Sequence, residues 1–282
     1  MKIGTYNIRV INSGYFALDG GAMFGIIPKP LWNKNNPSDE ANRIKLATRL
    51  LLLESDNKKI LIDTGMGDKW DAKSKGIYAI DQTESSLLKS LLSVNIKPED
   101  ITDVILTHLH FDHAGGTTIL KDNKLLPTFP NAVYHVQKKN FEWAINPTDR
   151  DRGSYLKDNF DPLVKEGVLK LIDGQNQFDD EINFVIVNGH TFAQQLIKIS
   201  DSSNTLLYCC DLFPTYSHIR LPYIMGYDLQ PLVTLQEKKY ILGKAVEENW
   251  KLFFEHDPEF AYATVKSTEK GIVLNEVFEN LD

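Results

Sequence analysis

The spacing of apolar residues predicts a chain in which strands and helices alternate. Short alternating apolar runs bounded by Gly, Asn, Asp or Pro are typical of strands, and apolar positions three and four apart are typical of helices. The sequence predicts strands over residues 3–11, 48–53, 59–62, 103–106, 132–136, 169–172, 183–187, 195–199, 205–210, 252–255 and 262–265. Helices are predicted after a capping box of Asp81 and Glu84, from Gly115 onward, and over residues 138–145, 155–165 and 231–250. This mixture indicates sheets flanked by helices, not a purely parallel doubly wound sheet.

The connections between these elements predict how the strands pair. The turn formers Ser55, Asp56 and Asn57 join strands 48–53 and 59–62 into a hairpin. The strands between 169 and 210 follow one another without helices, and we expect them to be mostly antiparallel. The long segment 19–42 is rich in Gly, Pro and Asn but carries large apolar residues, so we expect either a functional loop or a flap packed onto the protein. No linker, repeat or low-complexity tract interrupts the chain, which predicts a single domain over residues 1–282.

Composition and charge narrow the class of partner. Hydrophobic residues make up 42% and charged residues 24% of the chain, as in an ordinary globular protein. The net charge of −7 disfavours nucleic acid or an anionic membrane as the main partner, and a small-molecule partner is expected. No apolar run is long enough to cross a membrane and no signal peptide is evident in the chain as given, so a cytoplasmic location is expected. The adjacent Cys209 and Cys210 are expected to be buried core residues, not a disulfide framework.

The most informative stretch is the H-x-H-x-D-H pattern of His108, His110, Asp112 and His113, which directly follows an apolar strand. Imidazole and carboxylate groups are ligands that suit zinc, iron or manganese. If the first part of the loop is extended, His108 and His110 project to one side, while Asp112 and His113 can turn toward a neighbouring point. The pattern therefore indicates two metal ions.

Four local ligands cannot complete two metal sites, so further ligands are required from elsewhere in the chain. His190, Asp211 and His256 each lie where a predicted apolar strand ends, which is the usual location of a ligand cleft in layered α/β proteins. His135 lies inside a predicted strand and is expected to be a packed residue. His218 is expected to be a pocket or capping residue.

The order of these pieces resembles that of the metallo-β-lactamase-fold hydrolase superfamily. The matching pieces are Leu61-Ile62-Asp63-Thr64-Gly65, the H-x-H-x-D-H stretch, Gly189-His190-Thr191, Asp211 and His256, and together they span nearly the whole chain. The resemblance implies an α/β (α+β) fold, a four-layer αββα sandwich of two mixed sheets with metals in a cleft at one edge. It implies that His108, His110 and His190 bind the first metal, that Asp112, His113 and His256 bind the second, and that Asp211 bridges them. It also implies that Asp63 orients the ligand loop.

Two divalent metal ions imply hydrolysis. A pair of such ions, with zinc expected and iron or manganese as alternatives, can hold a hydroxide between them and polarise a scissile carbonyl or phosphoryl group. In this interpretation no Ser or Cys nucleophile is needed, and Asp112 is the candidate to pass a proton to the leaving group. Asp112, His190 and Asp211 are therefore the expected catalytic residues.

Within the superfamily, the chain most resembles the branch of quorum-quenching N-acyl-homoserine-lactone lactonases and methyl-parathion-type hydrolases. Residues 19–25 with Pro28, Pro30 and Trp32 resemble the entrance flap of those lactonases, and Asp211-Leu212-Phe213-Pro214 matches as well. Lactonases of this branch place a Tyr where this chain has Pro214, and a nearby side chain could substitute. The expected contacts to a substrate with an apolar tail are Met23, Phe24, Trp32, Phe213, Tyr216, His218 and Tyr223.

Other functions stay open from the sequence. The same ligands fit an organophosphate or aryl ester hydrolase, an iron-dependent oxidoreductase, or a metal-stabilised binding module without catalysis. An exposed Phe24 and Trp32 could also form the contact of a homodimer.

Overall fold

Strands and helices alternate along residues 1–281, which the computed structural model of the protein describes. The strands are β1 (Lys2–Ile3), β2 (Tyr6–Asp19), β3 (Arg43–Glu54), β4 (Lys59–Ile62), β5 (Asp103–Ile105), β6 (Thr118–Lys121), β7 (Lys124–Pro127), β8 (Val133–Gln137), β9 (Leu169–Ile172), β10 (Ile182–Val187), β11 (Gln194–Ser200), β12 (Thr205–Tyr208), β13 (Lys251–Phe253), β14 (Tyr262–Thr268) and β15 (Gly271–Phe278). The α-helices are α1 (Gly20–Phe24), α2 (Lys29–Trp32), α3 (Ala72–Ile77), α4 (Leu87–Ser93), α5 (Phe111–Ala114), α6 (Lys138–Ile145), α7 (Asp161–Lys165) and α8 (Pro231–Glu247). The predicted mixed α/β class is confirmed.

The chain divides into two compact units. Unit 1 comprises Met1–Tyr15 and Thr48–Gln175, and unit 2 comprises Phe16–Ala47 and the residues from Asn176 onward. The unit boundaries at residues 15–16 and 47–48 fall within strands β2 and β3. That residues 1–282 form a single domain stays a prediction. Within residues 1–281, every helix is too short or too polar to span a lipid bilayer.

The first sheet has the strand order β1-β2-β3-β4-β5-β8-β9 and is mixed. Strands β3 and β4 form the predicted antiparallel hairpin, whereas β4, β5, β8 and β9 pair in parallel. In unit 1, Leu87 and Leu91 of α4 and Leu163 of α7 pack into one apolar core with the strands. Because parallel strands end at a common edge, Asp63 after β4 and the H-x-H-x-D-H segment after β5 share one edge of this sheet.

The second sheet has the order β10-β11-β12-β13-β14-β15. The predicted antiparallel pairing is confirmed for β10, β11 and β12. It is wrong for β9, which pairs in parallel with β8 at the edge of the first sheet. Strand β12 also pairs with β13 in parallel. Strands β10, β12 and β13 consequently run in one direction and end at one edge. Helix α8 buries Thr234, Lys238, Ile241, Leu242 and Ala245, at the spacing of one helical face, and packs against β14 and β15.

The helix predicted to begin at Gly115 is wrong. Helix α5 ends before that residue, and a 3₁₀ turn leads into the antiparallel hairpin of β6 and β7. Asp122 and Asn123 join these strands with φ of 50° and 59°. A two-residue loop with both φ values positive matches the twist of paired strands, and Asp and Asn tolerate that conformation. Asp122 and Asn123 are therefore the sequence signal of a hairpin turn in the segment where a helix was expected.

The capping box predicted at Asp81 and Glu84 is also wrong. Helix α4 begins at Leu87, after Ser86, whereas the Asp81 side chain accepts hydrogen bonds from N and Oγ1 of Thr83 within a local turn. The helix predicted over 155–165 is broken into a 3₁₀ turn at Lys157–Asn159 and the short α7. The strand predicted to reach Cys210 ends at Tyr208, and β15 was missed.

Candidate metal centre

In unit 1, the H-x-H-x-D-H segment brings three imidazole rings and a carboxylate into one buried cluster. His108 and His113 are fully buried, and Asp112 and His110 are 7% and 8% exposed. His108 Nε2 lies 2.9 Å from His110 Nδ1, and the ring centroids of His108 and His113 are 4.0 Å apart. Two nitrogen ligands of one tetrahedral zinc ion lie about 3.3 Å apart, given bonds of roughly 2.0–2.1 Å. The separation of the His108 and His110 nitrogens therefore fits two ligands of one ion.

Asp63 sets the orientation of this cluster. Its Oδ1 accepts a hydrogen bond from the backbone N–H of Thr107 at 2.7 Å, and its Oδ2 accepts one from Thr107 Oγ1 at 2.7 Å. Oδ2 also lies 3.1 Å from His113 Nδ1, and Thr107 Oγ1 lies 3.1 Å from His108 Nδ1. When Nδ1 of each ring donates to these oxygens, Nε2 keeps its lone pair for a metal ion.

The ligand segment is held against the loop after β4 by a very close backbone approach. Both N and Oγ1 of Thr64 donate to the backbone carbonyl of His113 at 2.8 Å. A Cβ atom on Gly115 would lie 2.1 Å from the carbonyl oxygen of Met66. Only glycine fits at this position, so the Asp-Thr-Gly loop and the Gly-Gly pair act together to fix the ligand segment.

In unit 2, Asp211 lies between two imidazole rings. Its Oδ2 is 3.0 Å from His190 Nε2, and its Oδ1 is 3.2 Å from His256 Nε2. All three side chains are buried. The left-handed conformation of Cys210 (φ 47°) turns the chain at the end of β12, just before Asp211. Each oxygen of this carboxylate therefore faces a different imidazole ring.

The other nitrogen of each ring in unit 2 has its own acceptor. His190 Nδ1 donates to Asp228 Oδ1 at 2.9 Å, and His256 Nδ1 donates to the backbone carbonyl of Ala47 at 2.8 Å. Carboxylates and backbone carbonyls are the usual partners of metal-binding histidines. Burial lowers the pKa of His190, but the carboxylates of Asp211 and Asp228 outweigh burial and raise it to about 10. A metal ion must therefore displace a proton from His190 to bind.

The loop that carries His190 is held by the first two turns of α8. The backbone N–H groups of Asn188 and Gly189 donate to the carboxylate of Glu237 at 2.6 and 3.0 Å. A Cβ atom on Gly189 would lie 2.5 Å from the backbone nitrogen of Thr234. The loop and the helix are in direct backbone contact, which limits the movement of the imidazole ring of His190.

The donor set fits divalent metal ions. In unit 1 the donors are imidazole nitrogens and a carboxylate, and in unit 2 they are of the same two kinds. Within each unit, the contacts described above bring these donor atoms close together. Such donors suit zinc, iron and manganese. Of the two histidines outside this set, His135 contacts Asp103 at 2.8 Å and His218 packs among aromatic rings.

The residues expected to contact substrate in segment 19–42 are buried. Phe24 is stacked between Trp32 and His218, with centroid distances of 5.3 and 4.8 Å, and Tyr223 meets it edge-on. His218 Nε2 lies 2.9 Å from the carbonyl oxygen of Met23, and burial lowers the pKa of His218 to about 3. The expectation that Phe24 and Trp32 are exposed is wrong, because they are 0% and 2% exposed. The homodimer itself stays a prediction.

The remaining expected substrate contacts lie on the loop after Asp211. Phe213 is fully buried beside the ammonium group of Lys238, and Tyr216 is partly exposed, edge-on to Phe260. Substrate contact by these residues, and by Met23, His218 and Tyr223, stays a prediction. Sequence reasoning missed Asp228, for which an acidic residue shortly before a helix was the only signal.

Comparison with known proteins identifies the class. Residues 46–262 match the metallo-beta-lactamase superfamily. This match covers most of the chain, so the protein belongs to the metallo-β-lactamase superfamily. It is a hydrolase of that superfamily, as the sequence predicted.

Relatives and solved structures agree with this class. An N-acyl homoserine lactonase of Bacillus cereus is 27% identical over 237 residues, which cover 80% of this chain and 87% of the relative. The structure of a "probable metal-dependent hydrolase" from Staphylococcus aureus matches with a TM-score of 0.89 and 29% identity, covering 100% of this chain and 99% of the other. AidC, a dizinc quorum-quenching lactonase in complex with the product N-hexanoyl-L-homoserine, matches with a TM-score of 0.81 and 24% identity, covering 99% and 97%. The similarity to AidC is one of fold.

Proposed function

We propose that this chain is a dinuclear zinc hydrolase that opens the ring of N-acyl-homoserine lactones. The observation that carries the proposal is the placement of Asp211, whose two carboxylate oxygens lie 3.0 and 3.2 Å from Nε2 of His190 and of His256. A carboxylate that bound a single ion would need to lie beside only one of these imidazole rings. Two contacts on opposite oxygens are the arrangement that a bridge between two ions requires.

Seven side chains are proposed as ligands of the pair of ions. The proposed ligands are His108, His110 and His190 for the first ion, Asp112, His113 and His256 for the second, and Asp211 for both. Two features support this assignment. The seven residues occur in the order of the superfamily motif, and the imidazole rings of His113, His190 and His256 are each oriented by an oxygen acceptor at Nδ1.

The chemistry divides between the metal ions and the side chains. When bound, two such ions polarise a carbonyl group and lower the pKa of water toward neutrality. Asp112, 7% exposed at the start of α5, is proposed to hold the proton that the leaving ring oxygen needs. Asp63 and Asp228 keep His113 and His190 in the orientation that leaves Nε2 available.

The lactone class rests on the relatives. The curated relative at 27% identity is named an N-acyl homoserine lactonase, and it covers 80% of this chain. Ring opening of a lactone is hydrolysis of an ester, which is a reaction that a pair of Lewis-acidic ions can promote. We therefore propose a small neutral lactone with an acyl tail as the substrate.

The test combines metal analysis with a direct assay. The purified protein is loaded with zinc, its zinc content is measured by elemental analysis, and opening of N-hexanoyl-homoserine lactone is followed by acid release. We expect two zinc ions per chain and turnover. Asp211→Asn should lower both the zinc content and kcat/KM, the latter by more than the roughly 10–100-fold expected for loss of an outer partner of a ligand. His135→Gln, a histidine variant outside the proposed ligand set, is the matched control.

The outcomes separate the parts of the proposal. Two bound zinc ions without lactone turnover would reject the substrate class, and paraoxon and aryl esters would then be assayed on the same preparation. A single zinc ion in wild type and in Asp211→Asn alike would reject the bridging role. Iron as the sole metal after anaerobic purification would reject zinc.

A further inference from the structure

The hydroxyl group of Tyr78 in unit 1 has no role in the site described above. Tyr78 directly follows α3 and is partly buried. Its backbone N–H donates to the carbonyl of Ser74, but among residues 1–281 its phenol oxygen neither donates nor accepts a hydrogen bond. A hydroxyl carries one donor and two acceptor lone pairs, and all of them stay available to water or to a ligand.

Ring packing holds Tyr78 against the segment that carries four of the proposed metal ligands. The centroid of its ring lies 5.0 Å from that of Phe111 and 5.6 Å from that of Trp70. Trp70 in turn meets Phe111 edge-on at 5.3 Å, so the three rings contact one another in pairs. Phe111 lies between His110 and Asp112 in the sequence. The phenol of Tyr78 is therefore packed beside the residue that joins two of the proposed ligands.

The chain on either side of these rings is anchored within unit 1. The ammonium group of Lys69 donates to two backbone carbonyls in the 3₁₀ turn and in β6, which follow the ligand segment. At the other end, Asp81 and Tyr15 exchange two backbone hydrogen bonds of 2.8 Å. Helix α3, which lies between these anchors, buries none of its residues. The position of the Tyr78 hydroxyl consequently depends on the packing of the rings and not on burial of α3.

The carboxylate of Asp112 lies close enough to act on this phenol. Burial raises the pKa of Tyr78, and the negative charge of Asp112 raises it further. The hydroxyl therefore keeps its proton at neutral pH and above, and it is a neutral hydrogen-bond donor there. Asp112 is the group proposed to supply a proton to the leaving oxygen of the substrate. An oxygen that takes a proton from Asp112 lies near the Tyr78 hydroxyl as well.

We propose that Tyr78 is a further catalytic residue, whose hydroxyl donates a hydrogen bond to the oxygen that leaves during hydrolysis. This inference rests on the proposed lactonase function and on the role proposed for Asp112. Hydrolysis breaks the bond between the acyl carbon and the ring oxygen, and the carbon gains the OH of a water molecule. The ring oxygen keeps the electron pair of the broken bond and takes up the other proton of that water through Asp112. Tyr78 keeps its own proton and stabilises the negative charge while it forms on the ring oxygen.

The first arm of the test compares a lactone with a thiolactone that differs from it only in the leaving atom. The substrates are N-hexanoyl-homoserine lactone and N-hexanoyl-homocysteine thiolactone, and kcat and kcat/KM are measured at equal zinc content. Sulfur is a weak hydrogen-bond acceptor, and a thiolate leaves more readily than an alkoxide because a thiol is the stronger acid. Tyr78→Phe removes the hydroxyl and keeps the ring. We expect it to lower kcat at least about tenfold on the lactone and less than about threefold on the thiolactone.

The second arm measures binding without turnover. Holoenzyme is titrated by calorimetry with N-hexanoyl-L-homoserine, in which the former ring oxygen is a hydroxyl group. The second probe is N-hexanoyl-L-2-aminobutyrate, which lacks only that hydroxyl. Wild type should bind the first probe about three- to tenfold more tightly, the gain typical of one neutral hydrogen bond. Tyr78→Phe should reduce this preference to less than about twofold.

Tyr240→Phe, at a tyrosine that is 62% exposed on α8, is the matched control and should behave as wild type in both arms. Equal losses on lactone and thiolactone in Tyr78→Phe would overturn the proposal, because a purely structural role of the phenol affects both substrates alike. So would a wild type without preference for the hydroxyl, whether it binds both probes or neither, or a preference that survives in Tyr78→Phe. Absence of lactone turnover together with a preference that depends on Tyr78 would reject the proposed function and confirm that Tyr78 recognises this oxygen.

Discussion

Asp228 accepts a hydrogen bond of 2.9 Å from Nδ1 of His190. Both side chains are buried, and Nε2 of the same imidazole ring faces Asp211 at 3.0 Å. Asp228 therefore fixes the orientation of the ring and increases the basicity of the nitrogen proposed to bind metal. It lies in the segment that leads into α8, and Glu237 in the second turn of that helix holds the backbone beside His190.

Loss of this carboxylate should weaken metal binding. We expect Asp228→Ala to lower zinc affinity by roughly 10–100-fold, the usual effect of removing an outer partner of a histidine ligand. Asp228→Asn retains an acceptor oxygen, so its zinc affinity should fall by less than that of Asp228→Ala. Competition with a chromogenic chelator measures the affinity, and Asp173→Ala, at a carboxylate that is 70% exposed, is the control. Equal affinity in wild type and Asp228→Ala would mean that the hydrogen bond does not tune the ligand.

The candidate site illustrates what local sequence can reveal. His190, Asp211 and His256 could be found because each lies just beyond the end of an apolar strand, and strand ends converge at sheet edges. Asp228 could not be found in this way, since its contact with His190 depends on the path of the chain before α8.

The wrong predictions of secondary structure also concern features that depend on more than the local apolar pattern. The strands β3, β4 and β10 to β12 were predicted because their apolar runs are bounded by turn residues. The prediction of a helix after Gly115 is wrong because Asp122 and Asn123 form a two-residue hairpin loop with positive φ values. The helix predicted over 155–165 is interrupted because Pro162 lacks the N–H group that a helix continuing from residue 155 would need, whereas a proline in the first turn of α7 is tolerated.

Asp63 should contribute to stability even without metal. Its carboxylate accepts from the buried N–H of Thr107, and its backbone has a positive φ of 57°. We expect Asp63→Ala to lower the free energy of unfolding by roughly 1–3 kcal/mol, because a buried donor loses its acceptor. Urea unfolding in excess chelator separates this effect from metal affinity. Asp63→Asn tolerates the same φ and keeps one acceptor oxygen, so its free energy of unfolding should fall by less. Asp149→Ala removes an exposed carboxylate and should change the free energy of unfolding very little.

The close backbone approach at Gly115 makes an alanine there strongly unfavourable. A Cβ would lie 2.1 Å from the Met66 carbonyl oxygen, so one of the two loops must shift. We expect Gly115→Ala to lower the free energy of unfolding by about 2–3 kcal/mol, as overpacking of an interior does, and to lower zinc content. Gly243→Ala is the matched control, since no atom lies within 4 Å of its added Cβ inside α8. It should raise stability by up to about 1 kcal/mol through helix propensity. A neutral Gly115→Ala would show that the loops can separate without cost.

Lys238 should make the stability of the protein rise with pH in the alkaline range. Its side chain is fully buried on α8, where Nζ donates to the carbonyls of Arg220 and Tyr223 at 2.9 and 2.7 Å beside the ring of Phe213. Burial lowers the pKa of Lys238 to about 7, although Asp228 acts in the opposite direction.

Below about pH 7 the lysine is protonated in both the folded and the unfolded chain, so its contribution to stability is constant. Between about pH 7 and the unfolded value near 10.4, the folded chain has released the proton and the unfolded chain still holds it. The unfolded state then binds more protons, and the free energy of unfolding rises by up to about 1.4 kcal/mol per pH unit.

Lys238→Met removes this titration. The free energy of unfolding of wild type minus that of Lys238→Met should be flat from pH 5.5 to 6.5 and should increase from pH 7.5 to 9.5, as measured by urea unfolding in chelator. Lys239→Met alters an exposed lysine on the same helix, which is hydrated in the folded and the unfolded chain, so its difference from wild type should lack this rise. A difference for Lys238→Met that stays flat to pH 9.5 would mean that the two backbone carbonyls hold the buried ammonium in its charged form.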